Sequence, residues 1–184
     1  MAGTGLDRIR PAYTPVARAL HWIMALLVLG LIPVGIVMGQ LDSGPLQDRL
    51  YNLHRSVGAL ILPLVIIRLV YRFTHPPLPL TGDIPAFQRL IAEATHWGLY
   101  TLLVLQPLVG WAATSAYGAT ITVFGLFELP SILAQNEPLS MRLFALHRLF
   151  GFVMAAMVLA HAGAALFHHF IRRDRVLMRM VSGG

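Results

Sequence analysis

The sequence predicts an all-α integral membrane protein, a four-helix bundle of up-down topology forming a single domain over residues 1–184. Three observations predict it. Four apolar runs are long enough to cross a bilayer, which takes about 20 residues of helix. The chain is 57% hydrophobic and 12% charged, whereas soluble domains carry roughly a quarter charged residues. Pro33, Pro63 and Pro107 fall inside the runs, where a membrane bundle tolerates them by re-satisfying the freed carbonyls.

The first run spans about Arg18 to Gly39, the second about Asn52 to Phe73, the third about Glu93 to Ser115 and the fourth about Phe144 to Ile171. Their connections are "QLDSGPLQDRLY", the proline-rich "THPPLPLTGDIPAFQRL" and a longer piece from Ala116 to Leu143. Within that piece "ITVFGLFELPSIL" is apolar but short, so it reads as an interfacial or re-entrant segment and not a fifth span. No cleavable signal peptide is expected ahead of the first run.

Charge orients the spans. All 14 basic residues are arginine and the net charge is +6. They sit at the ends of apolar runs instead of forming a patch on a soluble domain, which argues against nucleic acid. Ten (Arg8, Arg10, Arg18, Arg68, Arg72, Arg89, Arg172, Arg173, Arg175 and Arg179) belong with the N-terminus, the second connection and the tail. Four (Arg49, Arg55, Arg142 and Arg148) belong with the first and third connections. The positive-inside rule then places both termini in the cytoplasm. With no cysteine, disulfides, thiolate metal sites and covalent CxxCH haem are excluded.

Five histidines lie inside the runs: His21, His54, His96, His147 and His161. Ionisable side chains are costly there and face the bundle interior with a partner. A single one reads as a hydrogen-bonding core residue; five in four helices ask for more. His147 and His161 are fourteen residues apart, which is ~21 Å along a helix with only ~40° of rotation, so they share a face. Depth sorts the set into an outer level, His54 with His147, and an inner level, His21 with His161. Two imidazoles per level suit a bis-histidine haem b between facing helices. They fall short of the three or four ligands zinc takes. A protein whose histidines are structural or hold another metal stays open beside this reading.

"LHRxxG" occurs twice, with Gly58 four residues after His54 and Gly151 four after His147. A glycine one turn deeper on the histidine's face permits close approach, of a porphyrin edge or simply of another helix. Arg55 and Arg148 follow the outer histidines and read as anion-attracting or propionate-pairing groups, or as snorkelling side chains. Arg68, fourteen residues after His54, returns to that face at the inner level, where a guanidinium pairs with a haem propionate; Arg72 reads the same way or as a snorkelling residue. His96 and His168 are placed to serve a quinone head group with hydrogen bonds and protons, and equally read as interfacial histidines without chemistry. His75 and His169 read as loop or interface residues.

With these residues in hand the chain resembles a known family. "ALHW", "HRSVG", "HRLFG" followed by "AH", "AALFHHF" and the tail "RDRVLMRM", covering about Tyr13 to Met180, are similar to the bacterial cytochrome b561 family, which includes cytochrome subunits of nickel–iron hydrogenases and formate dehydrogenases. The resemblance implies a multi-pass protein of the bacterial inner membrane with two b haems. Its ligand positions match His21, His54, His147 and His161. Small free-standing members resemble superoxide oxidase, which implies an oxidoreductase taking electrons from superoxide outside and passing them to ubiquinone. The electron path then runs from the His54/His147 level to the His21/His161 level. The alternative is an electron-conduit subunit serving a dehydrogenase partner. The outer charges, Asp42, Asp48, Glu128 and Glu137 against four arginines, sum to zero, so any attraction of an anion depends on how they are arranged.

Overall fold

The computed structural model describes residues 13–76 and 84–182. Arg8 and Arg10, which contribute to the orientation argument, lie outside the described residues, as does part of the proline-rich connection. Four long helices run up and down: α1 (Pro15–Met38), α2 (Pro45–Thr74), α3 (Ala86–Tyr117) and α4 (Glu137–Phe170). All four are apolar and long enough to cross a membrane. Two short strands, β1 (Ile121–Val123) and β2 (Phe127–Leu129), join α3 to α4, and a final turn of helix, α5 (Met178–Val181), follows α4.

Three helices begin seven residues ahead of the predicted spans: 45 against 52, 86 against 93 and 137 against 144. In α2 and α4 the extra turns carry helix-start chemistry, which hydropathy does not register. Thr14 caps α1 by accepting from the Ala17 amide at 3.2 Å, and Asn136 caps α4 by accepting from the Leu139 amide at 3.0 Å. Proline stands in the first turn of α1, α2 and α4, where its missing N–H costs nothing. Pro33, Pro63 and Pro107 are each accommodated inside a continuous helix.

α1 packs along α2 and α3 along α4; α2 and α3 join the two pairs, while α4 makes little close backbone approach to α1 or α2. The middle of the bundle is an apolar layer with one buried side chain from each helix: Val28, Ile61, Leu102 and Met154. Outward-facing apolar residues on the helices, such as Leu26 and Leu159 at 68% and 73% exposed, face lipid.

The segment between α3 and α4 is a hairpin, not a span. β1 and β2 pair antiparallel, Ile121 opposite Leu129, because the β-branched run Ile121–Thr122–Val123 favours extended backbone. Phe124 and Gly125 both carry positive φ, +49° and +73°, as a primed turn requires. Leu126 N–H closes the turn on the Val123 carbonyl at 2.9 Å. Ser56 of α2, 2% exposed, clamps it: its hydroxyl donates to the Thr122 carbonyl at 3.3 Å and accepts from the Phe124 amide at 2.9 Å. The hairpin is further stitched to α3 by Trp111 Nε1 donating to the Pro130 carbonyl at 2.9 Å.

At the opposite end, the chain after α4 folds back under α1. Trp22 Nε1 donates to the Met180 carbonyl at 3.0 Å, Arg18 to the Val181 carbonyl at 3.3 Å, and the Tyr13 amide to the Arg179 carbonyl at 3.4 Å. The bundle thus has a hairpin end and a termini end.

Candidate functional site

The histidines meet in the two pairs that their spacing predicts. His54 of α2 and His147 of α4 have ring centroids 6.0 Å apart toward the hairpin end. His21 of α1 and His161 of α4 have theirs 6.2 Å apart toward the termini end. Both pairs cross the seams where α4 stands off from α1 and α2. The whole site is written in steps of seven residues: His21–Val28–Gly35, His54–Ile61–Arg68, His96–Leu103–Gly110 and His147–Met154–His161. Seven residues are two helical turns with a small angular drift. Each helix therefore contributes to three stacked layers, with the apolar layer between two polar ones.

The separations test whether an iron fits. Two imidazoles on opposite sides of one metal need about 2 Å from each nitrogen to the metal and about 1 Å from nitrogen to ring centre, or about 6 Å overall. Both pairs match. His96 does not: its ring lies 5.2 Å from His161 in an edge-on stack, a packing contact between rings.

A ligating imidazole gives one nitrogen to the metal and its other N–H to an acceptor. His147 Nδ1 lies 3.1 Å from the backbone carbonyl of Gln106. A carbonyl only accepts, so Nδ1 carries the proton and Nε2 keeps its lone pair. His21 is held differently. Arg68 Nη2 lies 3.0 Å from His21 Nδ1, Nη1 donates to the Ala17 carbonyl at 3.3 Å, and Nε donates to the Tyr100 hydroxyl at 3.0 Å. A guanidinium only donates, so Nδ1 of His21 is the acceptor here, and binding a metal through Nε2 requires Arg68 to release it.

Two glycines make room for the hairpin-end pair. A Cβ on Gly35 of α1 would lie 3.0 Å from His54 Cε1, and one on Gly110 of α3 would lie 3.0 Å from His147 Cε1. Sequence reasoning singled out Gly58 and Gly151 instead. Space opens at Gly58, with nothing within 4 Å of an added Cβ, while Gly151 abuts Gln106 Nε2 at 3.2 Å, so the two "LHRxxG" copies differ in surroundings. The signal for the missed pair was present: Gly35 and Gly110 follow His21 and His96 by fourteen residues.

The remaining candidates divide by end. Arg55 is half-buried beside His54, its guanidinium 5.3 Å from the Tyr51 ring centre. Arg148 is exposed. Among the described residues neither forms an ion pair; the pairs present, His168–Asp174 at 2.5 Å and Arg172–Asp174 at 3.6 Å, are at the termini end. Asp42, Asp48, Glu128 and Glu137 are all exposed, so the acids stand toward solvent and Arg55 stands inward. Arg72 lies over Trp97 at 5.6 Å and Tyr100 at 5.5 Å. His75 stacks on Tyr71 at 4.1 Å, and His169 packs on Phe170 at 4.7 Å.

The family profile described as "Prokaryotic cytochrome b561" matches residues 12–183. The chain belongs to the prokaryotic cytochrome b561 family. It is 33% identical to "Cytochrome b561 homolog 2" of Escherichia coli (strain K12), over 92% of this chain and 90% of that one. It is 28% identical to "Probable superoxide oxidase CybB" of Yersinia pestis, over 92% and 95%, and 28% identical to "Cytochrome b562" of Cereibacter sphaeroides, over 93% and 96%. As a family member the chain is a multi-pass membrane electron-transfer protein that binds b-type haem.

Proposed function

We propose that the chain is a superoxide:ubiquinone oxidoreductase, taking single electrons from superoxide at the hairpin end and delivering them to ubiquinone near the termini end. The observation that carries this reading is the pair of histidine contacts on one helix, fourteen residues apart, with a cation beside one of them, Arg55, that forms no ion pair among the described residues. His54 and His147 hold one b haem in this reading, and His21 and His161 a second. When bound, haem supplies a reversible one-electron iron couple. The balanced reaction takes two superoxide ions, one quinone and two protons to two dioxygen molecules and one quinol.

The chain's own residues divide that work. Arg55, set inward of the exposed acids, attracts a small anion to the hairpin end, with Arg148 adding to the field. Gly35 and Gly110 let α1 and α3 approach closely enough to brace the His54 and His147 rings. His147 keeps its orientation through the Gln106 carbonyl. Arg68, once it releases His21, is a guanidinium free to fork onto a propionate. At the termini end His96 and the His168–Asp174 pair supply hydrogen bonds and protons to the quinone. The arginine bias puts this end in the cytoplasm.

The test is stopped-flow reduction of the haem by superoxide in lipid nanodiscs, read by visible absorbance. Arg55→Gln is expected to slow reduction several-fold and flatten its salt dependence. If superoxide dismutates before the haem is reduced, the reading falls and the conduit subunit of a dehydrogenase takes its place.

A further inference from the structure

A groove lies between α2 and α3, outside the two histidine pairs. It measures about 290 Å³ and is lined by Leu69, Trp97, Tyr100, Thr101, Val104 and Leu105. That is near the lower edge of small-ligand sites, room for one substituted ring and not for a large cofactor. Five of its six lining residues are apolar or aromatic and none is charged, which suits a ligand arriving from lipid.

An acyl chain needs no polar partner, yet this groove has one. Tyr100 is 8% exposed. Its hydroxyl oxygen accepts from Arg68 Nε at 3.0 Å. A guanidinium cannot accept, so the phenolic proton is left to donate, and among the described residues no acceptor takes it. A buried donor without an acceptor is costly, and a carbonyl oxygen on an incoming ring satisfies it. The same arginine reaches His21 Nδ1 at 3.0 Å. The groove thereby lies one residue, Arg68, from the termini-end histidine pair. Arg72, over both Trp97 and Tyr100, places a second cation at the aromatic wall.

We infer that this α2/α3 groove is the entry and docking site for the head group of a lipid-borne quinone, with Tyr100 as hydrogen-bond donor to one carbonyl. The inference rests on the reading that a quinone is the electron acceptor. It adds where the ring enters and which side chains hold it.

The experiment uses the full chain, haem-loaded, in nanodiscs. An azido-substituted ubiquinone with a short tail is photolysed, and the labelled peptides are mapped by mass spectrometry with decylubiquinone as competitor. Label is expected within residues 97–105 of α3, suppressed by decylubiquinone. Val104→Trp, which fills the groove, is expected to raise the decylubiquinone concentration for half-suppression at least tenfold. Tyr100→Phe, which keeps the shape and removes the donor, is expected to raise it about five- to tenfold, the size of one hydrogen bond. Leu26→Phe, on the lipid face of α1, leaves it unchanged. The haem absorbance spectrum checks that each variant folds, and Tyr100→Phe decides the matter if the tryptophan variant fails. Label confined to peptides around His161–His168 overturns the groove, as does label that excess lipid displaces and decylubiquinone does not, or half-suppression unchanged in Tyr100→Phe. None of these readings involves superoxide. A chain that binds quinone here but ignores superoxide loses the proposed donor and keeps the groove; label elsewhere does the reverse.

Discussion

At the scale of residues, the site depends on a few contacts with little slack. The proposed function assigns one haem to each of the two ring pairs near 6 Å. His54→Ala and His147→Ala are each expected to halve the haem content measured by pyridine haemochrome, with the same spectral component lost in both. His21→Ala and His161→Ala are expected to lose the other component. Loss of one component in both His54→Ala and His21→Ala refutes the pairing. The glycines give a finer test. A side chain on Gly35 or Gly110 meets an imidazole at 3.0 Å or less, so the ring must tilt or the helices part. Gly35→Val and Gly110→Val are expected to broaden or deplete the hairpin-end haem band while sparing the other. His96 is expected to tolerate substitution without loss of haem, because its 5.2 Å stack on His161 leaves no space for a metal.

At the scale of elements, what the sequence made legible was periodicity. Steps of seven and fourteen residues are arithmetic on a helix, so His54 with His147 and His21 with His161 were readable before any coordinates. Gly35 and Gly110 obey the same arithmetic and were readable in principle. The hairpin was not: its strands are three residues each, too short for alternation to register. Its stability also comes from Ser56, more than sixty residues away in sequence. Tyr100 escaped for a similar reason, since its interest lies in an arginine on another helix. The hairpin can be tested directly. Ser56→Ala leaves the Phe124 amide without its acceptor and the Thr122 carbonyl without its donor, at a cost of about 1–3 kcal/mol. A lower thermal midpoint and faster proteolysis between Ala119 and Asn136 are the expected results. Phe124, a bulky residue at φ +49°, is strained by about 1–2 kcal/mol, so the clamp is holding an unfavourable turn closed.

At the scale of the whole molecule, the two ends are built differently. The termini end is closed by the returning chain, with Trp22, Arg18 and Tyr13 bonded to the backbone of residues 179–181; the hairpin end is closed by strands. A reporter that needs export, fused after Gly184, is expected to be inactive, with activity indicating the inverted orientation and exchanging the roles of the two ends. Between the ends lies the apolar layer of Val28, Ile61, Leu102 and Met154. No side chain in it can carry a proton from one histidine level to the other. An electron crossing that distance therefore moves net charge, and the bundle behaves as a small capacitor plate pair. A membrane voltage acts on such a displacement by about 2.3 kcal/mol per 100 mV for a full crossing. Fourteen residues of helix cover roughly two thirds of the ~30 Å hydrocarbon core. A voltage negative on the termini side opposes delivery of electrons to that side, and the reverse voltage assists it. On the proposed function, turnover of this chain is thereby coupled to how strongly its membrane is energised.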